Sequence, residues 1–357
     1  MSKKICLLVD SLSGGGAERV AANMSVSLSR KGYKVHLVSM KDEITYAFEG
    51  ELFNFGKVKS KTSKINAFKA FKFFFESQNF DLIIDHRVRS VFLKELIFSK
   101  IVFKNSKVIY CIHNYKLSYA FSYVKWPWLA KLPLVKNNKF VCVCNEIKNH
   151  LHKTLGIQGY VIYNYFTKKG LNPDVEKIDL NENYIIGVGR LTKIKQFNKL
   201  IAAYSNSKLH EANIKLFILG DGDKKAFLEK QVAELKLGDF VKLMPFKKNP
   251  YPLIGKAKAL VMSSKAEGFP MVLLEALTLK TPVIAFDCKS GPKEIIKNEI
   301  NGILVEDQNE SQLTLALNKL LESSFYENLK MNTHVGLEKF SEEKIVQDWI
   351  NLLENQR

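Results

Sequence analysis

Three segments of the chain carry residue types and spacings that could do chemistry. Ser13-Gly14-Gly15-Gly16-Ala17-Glu18-Arg19 sits between a short apolar run and a helix-length amphipathic stretch. Glycines let a backbone come close to a ligand, and a helix start offers N–H groups and a positive dipole end that suit a phosphate. The spacing is neither the dinucleotide fingerprint nor a P-loop, and a tight turn explains it equally well. Gly187-Val-Gly189-Arg190-Leu-Thr-Lys-Ile-Lys195 runs from a strand end into a loop. A guanidinium and an ammonium placed this way can converge on a diphosphate and neutralise it as it departs, with no metal. Lysine is abundant throughout, so Arg190 is the better candidate of the two. The most specific segment is Glu267-Gly268-Phe269-Pro270-Met271-Val272-Leu273-Leu274-Glu275-Ala276. Its Gly-Phe-Pro turn presents backbone amides at a helix start, and Glu275, two turns into that helix, can accept hydrogen bonds from vicinal hydroxyls such as those of a ribose. The bland alternative has Glu267 capping the helix electrostatically and Glu275 facing solvent.

Two histidines end apolar runs: His86 after Leu82-Ile-Ile-Asp85, and His113 after Val108 to Ile112. Ligands of parallel α/β sheets bind beyond the carboxyl ends of strands, which favours a functional His113 and leaves His86 facing the same place. His36 lies inside a strand and reads as structural. Asp221-Gly222-Asp223 spells a metal-binding D-x-D, yet it follows a strand and opens a helix, where turn and cap chemistry account for it. No metal and no cofactor are expected. Cys6, Cys111, Cys142, Cys144 and Cys288 lack zinc-ligand spacing and read as buried reduced thiols.

The elements that would position these residues follow from the hydrophobic pattern. Short apolar runs alternate with helix-length amphipathic segments, the mark of parallel sheets wrapped by helices. Strands are expected at Ile5 to Val9, Val35 to Ser39, Leu82 to Asp85, Val108 to Ile112 and Phe140 to Cys144, with a helix from Ala17 to Lys31. After a polar, turn-rich linker the pattern restarts. Strands are expected at Ile185 to Val188, Lys215 to Leu219, Val241 to Met244, Ala259 to Met262 and Val283 to Phe286. Helices are expected from Gln196, over Lys224 to Leu235, and over Val272 to Leu279. Residues 1–165 form a first doubly wound domain, 166–182 the linker and 183–339 a second.

Composition narrows the partners. The chain has 357 residues and a net charge of +18, of which the first 165 residues carry +15. Such asymmetry points to an anionic partner for the first half, a membrane surface or a nucleic acid. Lys57, Lys59, Lys61, Lys64, Lys69 and Lys72 surround Phe68, Phe71, Phe73, Phe74 and Phe75. A second cluster, Tyr115, Tyr119, Phe121, Tyr123, Trp126 and Trp128 with Lys116, Lys125 and Lys131, follows His113. Together they predict peripheral contact with an anionic membrane. No motif of a nucleic-acid-binding class appears, so no nucleic-acid partner is expected. No apolar run reaches transmembrane length, and the run from Ile5 ends at Asp10, too early for a signal peptide. A cytoplasmic protein on the inner face of the cytoplasmic membrane is expected.

Glu267 to Glu275 resembles the E-x7-E motif of the retaining glycosyltransferases of family 4, which have the GT-B fold: two Rossmann-like domains facing across a cleft. Gly-Gly-Ala-Glu-Arg at 15–19, Gly-Arg-Leu-x-x-x-Lys at 189–195, Gly-Asp-Gly at 220–222 and Asn-Gly-Ile-Leu-Val at 301–305 are also similar to that family, in its order. The resemblance implies that Gly15 and Gly16 pass the donor diphosphate and that Arg190 and Lys195 hold it. It implies that Glu275 binds the ribose, that Glu267 lies near the donor sugar, and that the backbone at Gly268, Phe269, Pro270, Met271 and Val272 lines the sugar and phosphate. His113 matches the histidine beside the reaction centre, with His86 an acceptor-side candidate. The segment 340–357 resembles a helix that crosses back onto the first domain.

The activity implied is transfer of a sugar from a nucleotide-diphosphate donor, with uridine the expected base. The acceptor would be a glycan or lipid-linked molecule in surface polysaccharide, lipopolysaccharide or lipid-linked oligosaccharide assembly. A non-catalytic basic protein of the same fold, binding a membrane or nucleic acid, is the alternative. A glycosidase pair does not suit carboxylates in a turn and the helix after it, and a dehydrogenase lacks its glycine fingerprint.

Overall fold

A computed structural model describes residues 3–167 and 182–354. The chain divides into two compact units, Met1–Asn164 with Glu343–Arg357, and Tyr165–Glu342. Most of the expected linker, 168–181, lies outside the described residues.

The first unit is built on seven parallel strands: β1 (Lys4–Val9), β2 (Lys34–Ser39), β3 (Glu51–Asn54), β4 (Leu82–Asp85), β5 (Val108–Ile112), β6 (Asn138–Cys142) and β7 (Tyr160–Val161), in the order β3-β2-β1-β4-β5-β6-β7. The order reverses direction between β1 and β4, so loops leaving those strands diverge and open a crevice at their carboxyl ends. The central strands are continuous apolar runs because helices cover both faces; Cys6, Leu7, Leu8, Ile83 and Ile84 are fully buried. The helix Gly16–Arg30 begins at the glycine turn, with Glu18 in its first turn and Arg30 in its last, each complementing the helix dipole.

Three differences from the sequence expectation have physical causes. The strand expected at Phe140 to Cys144 is β6, two residues earlier: its register with β5 runs from Val108↔Asn138 to Ile112↔Cys142 and stops where β5 stops. Val143 and Cys144 are buried beyond the ladder, so hydrophobicity marked burial rather than pairing. β3, Glu-Leu-Phe-Asn, carries polar residues at both ends and is nowhere fully buried, so no run announced it. The Lys/Phe segment is two helices, Phe55–Lys61 and Lys64–Gln78, separated where the Ser63 side chain accepts a hydrogen bond from Asn66 N. Its aromatic side faces the core: Phe71 and Phe75 are buried, and Phe74 stacks on Phe53 at 4.1 Å. Phe73 alone of its phenylalanines is strongly exposed.

The second unit repeats the design with β8 (Tyr184–Val188), β9 (Lys215–Leu219), β10 (Val241–Met244), β11 (Ala259–Met262), β12 (Val283–Phe286) and β13 (Gly302–Val305), all parallel, in the order β10-β9-β8-β11-β12-β13. Here the reversal lies between β8 and β11. The last helix, Glu342–Glu354, buries Ile345, Val346, Trp349, Leu352 and Leu353; Lys3 Nζ donates to Leu353 O at 2.8 Å within the first unit. Among the described residues, no helix is long and apolar enough to cross a membrane.

Candidate active site

Every candidate residue sits at the carboxyl end of a sheet, and each unit holds its own set. In the second unit the loops after β8, β11 and β12 are tied together. Ser263 Oγ donates to the carbonyls of Lys195 and Gln196, both at 3.0 Å, and Lys265 N donates to Ile194 O at 2.8 Å. Glu267 N donates to Lys289 O, while Ser290 Oγ donates to the carbonyls of Glu267 and Gly268. Gly291, at φ 100°, passes so close to the turn that a Cβ there would meet Pro270 Cδ at 2.3 Å; only glycine fits.

Lys195 and Glu267, 72 residues apart, meet in this knot: Lys195 Nζ donates to Glu267 Oε1 at 2.6 Å, with side-chain exposures of 23% and 14%. Glu267 therefore does not act as a helix cap; the helix Met271–Thr278 starts four residues later, after Pro270. Arg190 is exposed just past β8. Glu275 is the fifth residue of that helix, one turn in rather than two, and is 6% exposed among Leu273, Leu274 and Leu277. A solvent-facing Glu275 is excluded. Gly268, Phe269 and Pro270 are buried, whereas Met271 and Val272 are half-buried. Burial, then the neighbouring Glu267, pushes the Cys288 thiol well above its ordinary pKa, so it stays protonated.

The Asp221-Gly222-Asp223 segment is a pin between loops. Asp221 Oδ2 accepts from Phe246 N at 2.8 Å, and Asp221 O accepts from Leu191 N. A Cβ at Gly220 would lie 2.0 Å from Gly189 O, so the loops after β8 and β9 pack backbone on backbone. The expected cap chemistry is absent: the helix Lys225–Glu234 has Lys224 at its cap, with no side-chain cap bond.

In the first unit, Gly15 is the extended cap of the helix that starts at Gly16, and Gly16 is exposed. The loop after β4 holds what the sequence reading missed. Arg87 donates from N and Nε to Asp85 Oδ1 and from Nη2 to Asp85 Oδ2, and its two terminal nitrogens reach both oxygens of Glu95 at 3.2 and 2.9 Å. Arg89 donates to the carbonyls of Asp85, Arg87 and Cys111. Asp85, Arg87, Arg89 and Glu95 are all buried. Burial alone would raise the Asp85 pKa, but Arg87 and Arg89 hold it below its ordinary value. The signal was present in Asp-x-Arg-x-Arg directly after an apolar strand, where charges have no reason to sit unless they pair.

This clamp carries His86. Its N–H donates to Leu8 O, and its ring Nδ1 lies 2.9 Å from His113 Nε2 in a hydrogen bond, the rings 5.1 Å apart. The two candidate histidines are thus in direct contact. Burial pushes His86 down to about 4, with Asp85 opposing and Arg89 assisting; burial, His86 and Arg89 push His113 well below the usual range. Both rings are neutral at pH 7. With Cys111 they form the one cluster of three metal-ligand types found among the described residues, but it suits a cation poorly. The nitrogens that face each other are engaged in their own bond, and the Arg89 guanidinium is bonded to the Cys111 carbonyl beside them.

Residues 14–166 match the sequence family described as Glycosyltransferase Family 4, and residues 169–335 match Glycosyl transferases group 1. The chain belongs to glycosyltransferase family 4. This family 4 glycosyltransferase is 28% identical to the amylovoran biosynthesis glycosyltransferase AmsD of Erwinia amylovora, over 98% of its own length and 99% of AmsD. It is also 28% identical to the N-acetylgalactosamine-N,N'-diacetylbacillosaminyl-diphospho-undecaprenol 4-alpha-N-acetylgalactosaminyltransferase of Campylobacter jejuni, over 98% and 99% of the two chains. The crystal structure of Anabaena HepE with UDP and glucose superposes with a TM-score of 0.77 at 18% identity, covering 99% of this chain and all of that one. The fold is GT-B, as the sequence motifs implied.

Proposed function

We propose that the protein moves a sugar from a UDP-sugar, with retention of configuration, to a hydroxyl of a lipid-linked glycan during bacterial surface polysaccharide, lipopolysaccharide or lipid-linked oligosaccharide assembly. The observation that carries this reading is the Lys195–Glu267 pair, held by three loops at the reversal point of the second sheet and followed by the buried Glu275. A diphosphate offers Lys195 a stronger partner than Glu267, whose carboxylate is then released toward the donor sugar. Arg190 and Lys195 take up the charge that develops on the departing diphosphate, which is where fixed cations lower a barrier most. Glu275 accepts from the ribose hydroxyls, and the backbone from Gly268 to Val272 lines sugar and phosphate. His113 acts beside the reaction centre, with His86 the acceptor-side candidate. The departing phosphate oxygen takes the acceptor's proton, so no enzymic nucleophile and no metal are required.

Support for the lipid-linked acceptor comes from the Campylobacter relative, whose name specifies a diphospho-undecaprenol substrate, and from the surface after His113. Tyr119, Tyr123, Trp126, Trp128 and Leu132 are exposed there. Residues 96–145 hold eight lysines and no acidic residue, a composition suited to an anionic bilayer surface.

The test is a thermal-shift panel of nucleotide diphosphates and nucleotide sugars, with and without chelator. Saturation at about a hundredfold over Kd adds roughly 2.7 kcal/mol. A chelator-insensitive shift with UDP and one UDP-sugar, lost in Glu275→Ala, is expected; no shift with any nucleotide would sink the donor assignment.

A further inference from the structure

We propose that His86 is a positioning residue that fixes the tautomer of His113, holding its proton on Nδ1 so that His113 meets its ligand as a hydrogen-bond donor. A neutral imidazole has one donor and one acceptor, and the bond made by one nitrogen decides the state of the other. The 2.9 Å contact between His86 Nδ1 and His113 Nε2 needs one N–H and one bare nitrogen. The other nitrogen of His86 favours one of the two arrangements. Its Nε2 faces Cys111 Sγ at 4.0 Å, and a buried thiol that keeps its proton offers an imidazole an S–H but only a weak sulfur acceptor, so the favoured arrangement has the S–H donating to a bare Nε2. The His86 proton is then on Nδ1 and is donated to His113 Nε2, which leaves the His113 proton on Nδ1. Free imidazole side chains in water favour the opposite, Nε2–H form, so the arrangement is imposed by the fold.

The surroundings hold His86 in register. Its backbone N–H is tied to Leu8 O on β1, and the next residue but one, Val88, donates to Asp10 Oδ2 at 2.7 Å. Arg89 reaches across to Cys111 O on β5, so β1, β4 and β5 are joined at their carboxyl ends. The charged and titratable groups facing the pair are Asp85 and Arg89 from the β4 loop and Cys111 from β5. Asp85 is engaged by Arg87 and Arg89 rather than by either imidazole, so no carboxylate competes for the shared proton.

The inference deepens the proposed role of His113 beside the reaction centre and rests on it for its catalytic consequence only; the tautomer itself is read without substrate. The experiment is long-range 1H–15N correlation on protein labelled at its seven histidines, at pH 7.5, with His113 assigned by its loss in His113→Asn. The native protein is expected to show His113 in the Nδ1–H form. His86→Asn, whose amide donates from nearly the same point, keeps that form, and His86→Leu returns His113 to Nε2–H. An Nε2–H His113 in the native protein, or a signal unchanged by His86→Leu, overturns the proposal. In parallel, UDP release from the UDP-sugar selected by the shift panel is expected to fall about ten- to a hundredfold in kcat in His86→Leu, with KM for the donor held and most of the rate restored by asparagine. Undiminished turnover in His113→Ala overturns the catalytic consequence while leaving the tautomer measurement standing.

Discussion

Lys195 and Glu267 satisfy each other before any donor arrives, which makes their contributions to stability and to catalysis separable. Neither is deeply buried, so the pair contributes little to folding, on the scale of about 1 kcal/mol or less. Lys195→Met is expected to leave the melting temperature within a few degrees of native while lowering kcat by about a hundred- to a thousandfold, the usual cost of losing one donor to a developing charge. A Lys195→Met enzyme with native kcat would remove it from the leaving-group role. At this scale the sequence was informative about types and poor about partners. Arg190, Lys195, Glu267 and Glu275 could be named from their motif spacing, but nothing local could say that Lys195 bonds Glu267, because the loops that join them are brought together only by strand order. Glu275 was legible as a carboxylate among leucines and ambiguous as to face; burial resolved it.

At the scale of elements, the β4 loop dominates the acid behaviour expected of the protein. The native state binds fewer protons than the unfolded chain wherever a histidine is held neutral. Stability contributed by a neutral His86 is complete above its unfolded value near 6.5 and is lost as pH falls toward about 4. The loss from His86 alone is on the order of 3 kcal/mol across that window, with His113 adding in the same direction. Asp85, held below its ordinary value by its arginines, loses its contribution at still lower pH. Urea midpoints measured from pH 7.5 to 4 are expected to fall steeply, and His86→Asn to flatten the upper part of the curve; a flat native profile would contradict a pair held neutral. Apolar runs made most strands legible, because in a parallel sheet covered on both faces burial and strand coincide. They diverge at the edges: β3 is a half-buried strand without a run, and β6 is a run displaced from its ladder. The clamp escaped notice for a related reason, since a buried charge network is recognisable only once all its members are placed.

The molecule as a whole is polarised in charge, and the first unit carries most of the excess. The expected membrane face shifts within that unit, from the Lys/Phe helices, whose rings are largely core, to the aromatic segment after His113. Each lysine near an anionic surface is worth about 1 kcal/mol, so Lys125→Glu and Lys131→Glu should each weaken binding to phosphatidylglycerol vesicles at least fivefold. Trp128→Ala should weaken it further without changing UDP binding. Co-sedimentation with anionic and with neutral vesicles checks this, and equal binding to both would count against an electrostatic surface.

The return of Glu343–Arg357 to the first unit has a consequence for how the protein is made. The helix that closes the first unit emerges from the ribosome after the whole of the second unit has been synthesised. At about 5–20 residues per second, the first sheet must wait roughly ten to forty seconds for Ile345, Val346 and Trp349. The second unit, contiguous in sequence, can finish first. Nascent chains that end at residue 342 and are held to the ribosome by an unstructured tether long enough to clear the exit tunnel should therefore contain a protease-protected second unit and a still-digestible first one, an order of maturation opposite to the order of translation.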